Sequence, residues 1–214
     1  GTSGFAVNTK HFSGSVITWK ELAEPQYKGK IAVMDDFRYV LGSVLMELGF
    51  DPNTTDKTEI NAAFELFKKV VPNIAKFTSD SPVDLMVSEA VWISYGYSGD
   101  SLQMAADNPS IRYLFPSYGG LKFVDNMVIP AGAPHKETAH EWINFILRPD
   151  TGAAITNEIQ YGNPNAAAFD LIDEETRTST AVFPPKDVFG KLQYIRDIGD
   201  AVSLYEETWE SVKQ

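Results

Sequence analysis

A chain of 214 residues with 18 Lys and Arg against 29 Asp and Glu carries a net charge of −11. That balance lacks the positive face a phosphate backbone requires, which argues against sequence-independent nucleic-acid binding and suits a cationic ligand. With no cysteine there are no disulfides, thiolate nucleophiles or Cys-ligated metals, and no apolar run approaches the roughly 18 residues of a membrane span.

Short apolar runs alternate with amphipathic stretches, the pattern of an α/β protein. In chain order, the pattern predicts a strand over 4–8, a helix over 18–23, a strand over 30–34 and a helix over 39–48 closed by Gly49. A helix over 57–71 follows, with Asp56 placed to cap it and Glu59 three residues on. Ile60, Ala63, Phe64, Phe67 and Val71 recur there at helical spacing before Pro72 stops it. The alternation continues with a strand over 75–78, a helix over 82–88, a strand over 90–95, a helix over 99–106 and a strand over 111–115. A strand over 124–129 is the last expected; helices over 136–147, 149–159 and 200–213 follow, with an irregular stretch over 162–186. The stripes of the helices over 136–147 and 200–213, with Trp142, Ile143, Ile146, Leu204 and Tyr205, need a sheet to cover. A helix-rich half without strands implies a sheet supplied from elsewhere. The opening Gly1-Thr2-Ser3-Gly4 lacks the features of a signal peptide and reads as a cut end.

Glycine-rich phosphate loops, zinc-protease helices and nucleophile elbows are absent. His135, Glu137, His140 and Glu141 crowd one helix start. Residues five apart lie on different helix faces, so a solvated surface is expected there, with no metal and no cofactor. More informative are acids beside aromatics near strand ends: Asp35-Asp36 after residues 30–34, Asp100 after Tyr97-Ser98-Gly99, and Asp125 two residues past Phe123 at the start of the 124–129 strand. Open α/β sheets bind ligands at the carboxyl ends of their strands. An organic ammonium needs carboxylates for charge-assisted hydrogen bonds and aromatic faces for cation–π contact. The competing reading makes Asp36 and Asp100 helix N-caps.

Segments spread over the whole chain carry a resemblance. They are residues 1–10 (Gly1 to Lys10), Val16-Ile17-Thr18-Trp19-Lys20-Glu21-Leu22, Tyr27-Lys28-Gly29-Lys30, Asp35-Asp36-Phe37-Arg38 and Val124-Asp125-Asn126-Met127-Val128-Ile129-Pro130. Further on come Trp142-Ile143-Asn144-Phe145-Ile146-Leu147-Arg148-Pro149, Tyr161-Gly162-Asn163-Pro164-Asn165, Ile198-Gly199-Asp200-Ala201 and Leu204-Tyr205-Glu206-Glu207. As a set they resemble the spermidine/putrescine-binding proteins of bacterial polyamine ABC importers.

The resemblance implies a two-lobed α/β fold of the type II periplasmic-binding-protein kind, one lobe complete and the other missing its N-terminal part. Residues 1–118 would form the complete second lobe with the first crossover strand, and 119–214 the returning crossover and helical part of the first. It also implies a non-enzymatic receptor outside the bacterial cytoplasmic membrane, periplasmic or membrane-anchored. Such a receptor holds putrescine or spermidine in an inter-lobe cleft and delivers it to a permease. Association through the incomplete lobe is a further expectation.

Residue by residue, Asp36 matches an acid of the family's Asp-Asp-x-Arg segment. Tyr97 and Phe123 stand at aromatic positions, and Asp100 and Asp125 at amine-binding acids. Tyr39 departs from the family, standing where many members carry a Glu. The exchange of acids, Asp100 present and that Glu absent, tilts the expectation slightly to putrescine. The alternatives are a relative that binds another small solute, a sensor domain fused to another chain, and a hydrolase using a pair from Asp36, Asp100 and Asp125. The last would need one buried carboxyl with a raised pKa.

Overall fold

The structure, a computed structural model, describes residues 1–213. Its strands are β1 (Thr2–Asn8), β2 (Ile31–Val33), β3 (Ile74–Phe77), β4 (Ile93–Tyr97), β5 (Ile111–Leu114), β6 (Gly120–Lys122) and β7 (Leu192–Tyr194). The helices are α1 (Trp19–Leu22), α2 (Phe37–Glu47), α3 (Lys57–Val70), α4 (Pro82–Val87), α5 (Ser98–Asp107), α6 (Lys136–Ile146), α7 (Pro149–Ile159), α8 (Glu174–Thr178), α9 (Lys186–Phe189) and α10 (Val202–Val212). The strands form one mixed sheet in the order β3-β2-β4-β1-β6-β7, with β5 pairing the far half of β1. Strand β1 runs antiparallel to β4, β5 and β6, whereas β2 is parallel to β3 and β4, and β6 to β7.

Strand β1 is buried along its whole length because it has partners on both sides and helices on both faces. Its sequence, Thr2-Ser3-Gly4-Phe5-Ala6-Val7-Asn8, accordingly shows no regular apolar–polar alternation. Successive side chains serve opposite faces. Phe5 and Val7 join Ile31, Val33, Ile93 and Tyr95 in a core with residues of α1, α2, α3 and α10. Ala6 and Ala32 meet Met86, Val91, Met104 and Ile111 on the other face, under α4 and α5.

Local chemistry sets the helix ends. Asp56 Oδ1 accepts the Thr58 and Glu59 N–H groups at 2.7 and 3.2 Å, so α3 starts where its cap predicts. Its stripe closes on Val70 rather than Val71, which opens the 3₁₀ turn containing Pro72. Gly49, at φ +84°, ends α2 in a Schellman motif: its N–H reaches the Met46 carbonyl and that of Phe50 the Leu45 carbonyl.

The second half departs from expectation in three ways. No strand forms over 124–129; the strand lies earlier, at β6, and the following residues run exposed with no neighbouring ladder to satisfy them. Strand β7, unanticipated, extends the sheet beyond β6. Helix α10 does have a sheet to cover: Tyr205 and Trp209 are buried in the main core. Helix α6 stays uncovered, with Trp142 59% and Phe145 45% exposed and no residue of the helix buried. Helix α7 builds a small separate core in which Ala153 meets Ala168, Ile172 and Phe183.

Candidate functional site

A cavity of about 830 Å³ opens at the ends of β4 and β6, walled on the far side by residues 159–164 and 182–194. Of the aromatic residues that line it, Tyr39, Tyr97, Phe123 and Tyr161 cluster together. Tyr97 ends β4, two residues past the buried Tyr95 on the same strand face. Tyr39 comes from the first turn of α2 and is held there twice. The Asp36 cap accepts its N–H at 3.2 Å, and its carbonyl accepts the Tyr95 hydroxyl at 3.4 Å. Phe123 follows β6, its N–H bonded to the Gly1 carbonyl at 3.0 Å. Tyr161 follows α7, where Gln160 turns the chain in the left-handed region at φ +60°. A non-glycine residue there is strained, and the turn aims the next side chain back at α5.

The rings meet largely edge to face: Tyr39–Tyr97 at 5.7 Å and 80°, Tyr97–Phe123 at 5.2 Å and 69°, and Phe123–Tyr161 at 6.1 Å and 59°. Such pairs fix one another's orientation and leave π faces free for a cation. Gly99 makes the Tyr161 placement possible, because a Cβ at that position would overlap the ring. The Tyr161 hydroxyl donates to Asp100 Oδ1 at 3.3 Å.

Three carboxylates converge on this cluster. Burial first, then the negative charges of Asp36, Asp100 and Asp125, push the Tyr97 hydroxyl up to about 12. Burial, Tyr97 and Asp36 raise that of Tyr39. Tyr161 is raised by burial and by Asp100. The carboxylate share of these shifts favours a cation, whereas burial disfavours a charge of either sign. Burial lifts the Asp100 carboxyl itself, partly offset by the Tyr161 hydrogen bond.

Of the residues singled out from sequence, Tyr39, Tyr97, Phe123 and Asp125 line the cavity. Asp100 stands behind Tyr161, in the first turn of α5 rather than at its N-cap, which is Tyr97. Asp36 is an N-cap, as the competing reading had it, with Oδ1 accepting the Arg38 and Tyr39 N–H groups at 2.9 and 3.2 Å. It nonetheless lies close enough to bias both tyrosines. Asp125 stands exposed on the coil after β6, not on a strand. Asp35 turns away to the C-terminal helix, accepting Trp209 Nε1 at 3.2 Å and pairing with Lys213.

Sequence reasoning gave no site role to Tyr161, Lys122, Phe183, Phe189 or Tyr194, all of which line the cavity. Tyr161 carried a signal, in the Tyr161-Gly162-Asn163-Pro164-Asn165 segment. The others sit in stretches without periodicity. Among the described residues no three His, Cys, Asp or Glu side chains cluster as a metal site, and no helix is long and apolar enough to cross a membrane.

Known proteins resemble this chain along its whole length. Residues 1–183 match the model of the family described as bacterial extracellular solute-binding protein. The spermidine/putrescine-binding periplasmic protein of Salmonella typhimurium is 34% identical over 214 residues, covering 100% of this chain and 62% of that protein. A solved structure from Listeria monocytogenes, assigned to a spermidine/putrescine ABC transporter, superposes with a TM-score of 0.93 at 30% identity, over 100% of this chain and 67% of that one. The spermidine/putrescine ABC transporter substrate-binding protein of Streptococcus pneumoniae gives 0.86 at 28% identity, over 100% and 66%. The chain thus spans about 60% of the curated relatives it matches, and shares the α/β fold of the type II periplasmic-binding proteins over that part. It belongs to the bacterial extracellular solute-binding protein family.

Proposed function

We propose that this chain is the greater part of a polyamine receptor of an ABC importer. It would bind a short diamine, putrescine before spermidine, and hand it to a membrane permease without chemical change. The observation that carries this reading is an aromatic-lined cavity with Asp125 in its wall, Asp100 bonded to the lining Tyr161 and Asp36 capping the turn that carries Tyr39. Each cation–π contact contributes about 0.5–2 kcal/mol, and each hydrogen bond to a charged group about 1.5–3 kcal/mol. The relatives' names support the ligand class and a location in the periplasm.

The ligand contacts we assign are Asp125, Tyr97, Phe123 and Tyr39 directly, with Asp100 through Tyr161 and Asp36 by its charge. The raised Asp100 carboxyl is the one feature a carboxylate-pair hydrolase would share. Its hydrogen bond to Tyr161 and the family's solute-binding character favour binding. Residues 1–118 form one lobe in this reading, to which β7 and α10 return, and the stretch between β6 and β7 belongs to the other. The uncovered α6 face supports association through that half.

Calorimetry of the chain against putrescine, spermidine, a hexose and a dicarboxylate tests the proposal. Amines should bind and the others should not. Asp125→Asn should weaken putrescine by about 1.5–3 kcal/mol, roughly ten- to a hundredfold. Unchanged binding by a folded Asp125→Asn protein, or binding of the hexose alone, would refute it.

A further inference from the structure

Lys122 is a side chain of the cavity wall that a receptor for cations does not need. Strand register seats it at the end of β6, opposite Thr2 of β1 on one side and Tyr194 of β7 on the other, and all three line the cavity. Leu121, pointing to the opposite face, is fully buried. The Lys122 ammonium stands 4.1 Å from the ring centre of Phe189 and 4.9 Å from that of Tyr194. It pairs with no carboxylate among the described residues.

We propose that Lys122 determines specificity: it is a resident cation that occupies the Phe189–Tyr194 end of the cavity and restricts the ligand to two ammonium groups. This rests on the polyamine reading above. Two effects act together. The aromatic faces that would take a further ligand ammonium are already engaged by Lys122. A third ammonium reaching that end meets the like charge of Lys122 and is repelled by it. Discrimination built on repulsion is a common way to reject a longer homologue that would otherwise gain contacts. The acids lie toward Tyr97, and the fixed positive charge lies toward Tyr194. A diamine satisfies the first without approaching the second.

The test is calorimetry of the full chain at one salt concentration with putrescine, spermidine, spermine and 4-aminobutanoate. The parent should bind putrescine most tightly. Lys122→Gln keeps the first two methylenes of the stem and removes the charge. It should raise the spermidine-to-putrescine affinity ratio about tenfold or more, with putrescine itself changing by less than about threefold. Lys122→Arg keeps both charge and ring contact and should keep the parent ranking; thermal midpoints verify that both variants fold.

The inference is overturned by an unchanged ratio in Lys122→Gln, or by Lys122→Arg shifting the ratio equally. It is also overturned if 4-aminobutanoate binds more tightly than putrescine, which would make Lys122 a carboxylate anchor. Putrescine binding with an unchanged ratio removes this inference alone, whereas a parent that binds no amine removes the polyamine reading as well.

Discussion

Replacing Trp209 by alanine measures how firmly the C-terminal helix belongs to the sheet that carries the site. The indole is 3% exposed. It stacks on Phe67 at 5.6 Å and 18°, meets Phe77 edge-on at 5.2 Å, and donates Nε1 to Asp35 at 3.2 Å. Removing a buried Trp costs about 3–5 kcal/mol in transfer and cavity terms. Two aromatic pairs at about 0.5–1.5 kcal/mol each and a hydrogen bond to a carboxylate that retains only Lys213 place this case at the upper end, about 4–5 kcal/mol. Trp142→Ala is the control: the side chain is 59% exposed, so its loss should cost within about 0.5 kcal/mol. Urea unfolding of this 214-residue chain, followed by circular dichroism, gives both values from the midpoints at constant slope. A Trp209→Ala cost below about 1 kcal/mol, or a Trp142→Ala cost equal to it, would refute the docking of α10 and the openness of α6.

Two further outcomes follow from the Asp100 corner. Burial raises the Asp100 carboxyl, so the folded chain holds that proton to higher pH than the unfolded one. Stability therefore falls as pH rises from the ordinary aspartate range through the raised value. Asp100→Asn should remove that fall and leave the protein more stable than the parent at pH 7 while weakening amine binding; a parent-like pH profile in denaturant would contradict this. Gly99→Ala places a Cβ where the Tyr161 ring lies. The ring must shift, Asp100 loses the hydroxyl that holds its carboxyl down, and its titration followed by NMR should move higher still. An unmoved titration would show that Gly99 does not position Tyr161.

Much of the fold was legible because its signals are local. Asp56 and Gly49 mark helix ends through their own hydrogen bonds and dihedral angle, and the stripe from Ile60 to Phe67 faces one core. The second half was harder, and for one reason. A strand is stabilised by its neighbours, so an apolar run does not reveal whether it has any. Residues 124–129 read as a strand yet find no partner, whereas the three-residue β6 and β7 lack a visible pattern and pair through register alone. Trp142 and Trp209 both lie on amphipathic helices, and only packing distinguishes an uncovered face from a buried one.

For the site, the sequence by itself determined the ingredients: acids set beside aromatics at strand ends, no thiol, and a charge suited to a cation. It also determined the cap role open to Asp36, since a short acceptor side chain before a helix needs only its own next two or three N–H groups. What the tertiary structure decided was the company each residue keeps. It turned Asp35 toward Trp209 and Lys213, brought Tyr161 across from another helix onto Asp100, and set Lys122 between Phe189 and Tyr194. Those contacts join residues 61 to 178 positions apart. Charge and shape complementarity over such separations act through space, and spacing along the chain does not encode them.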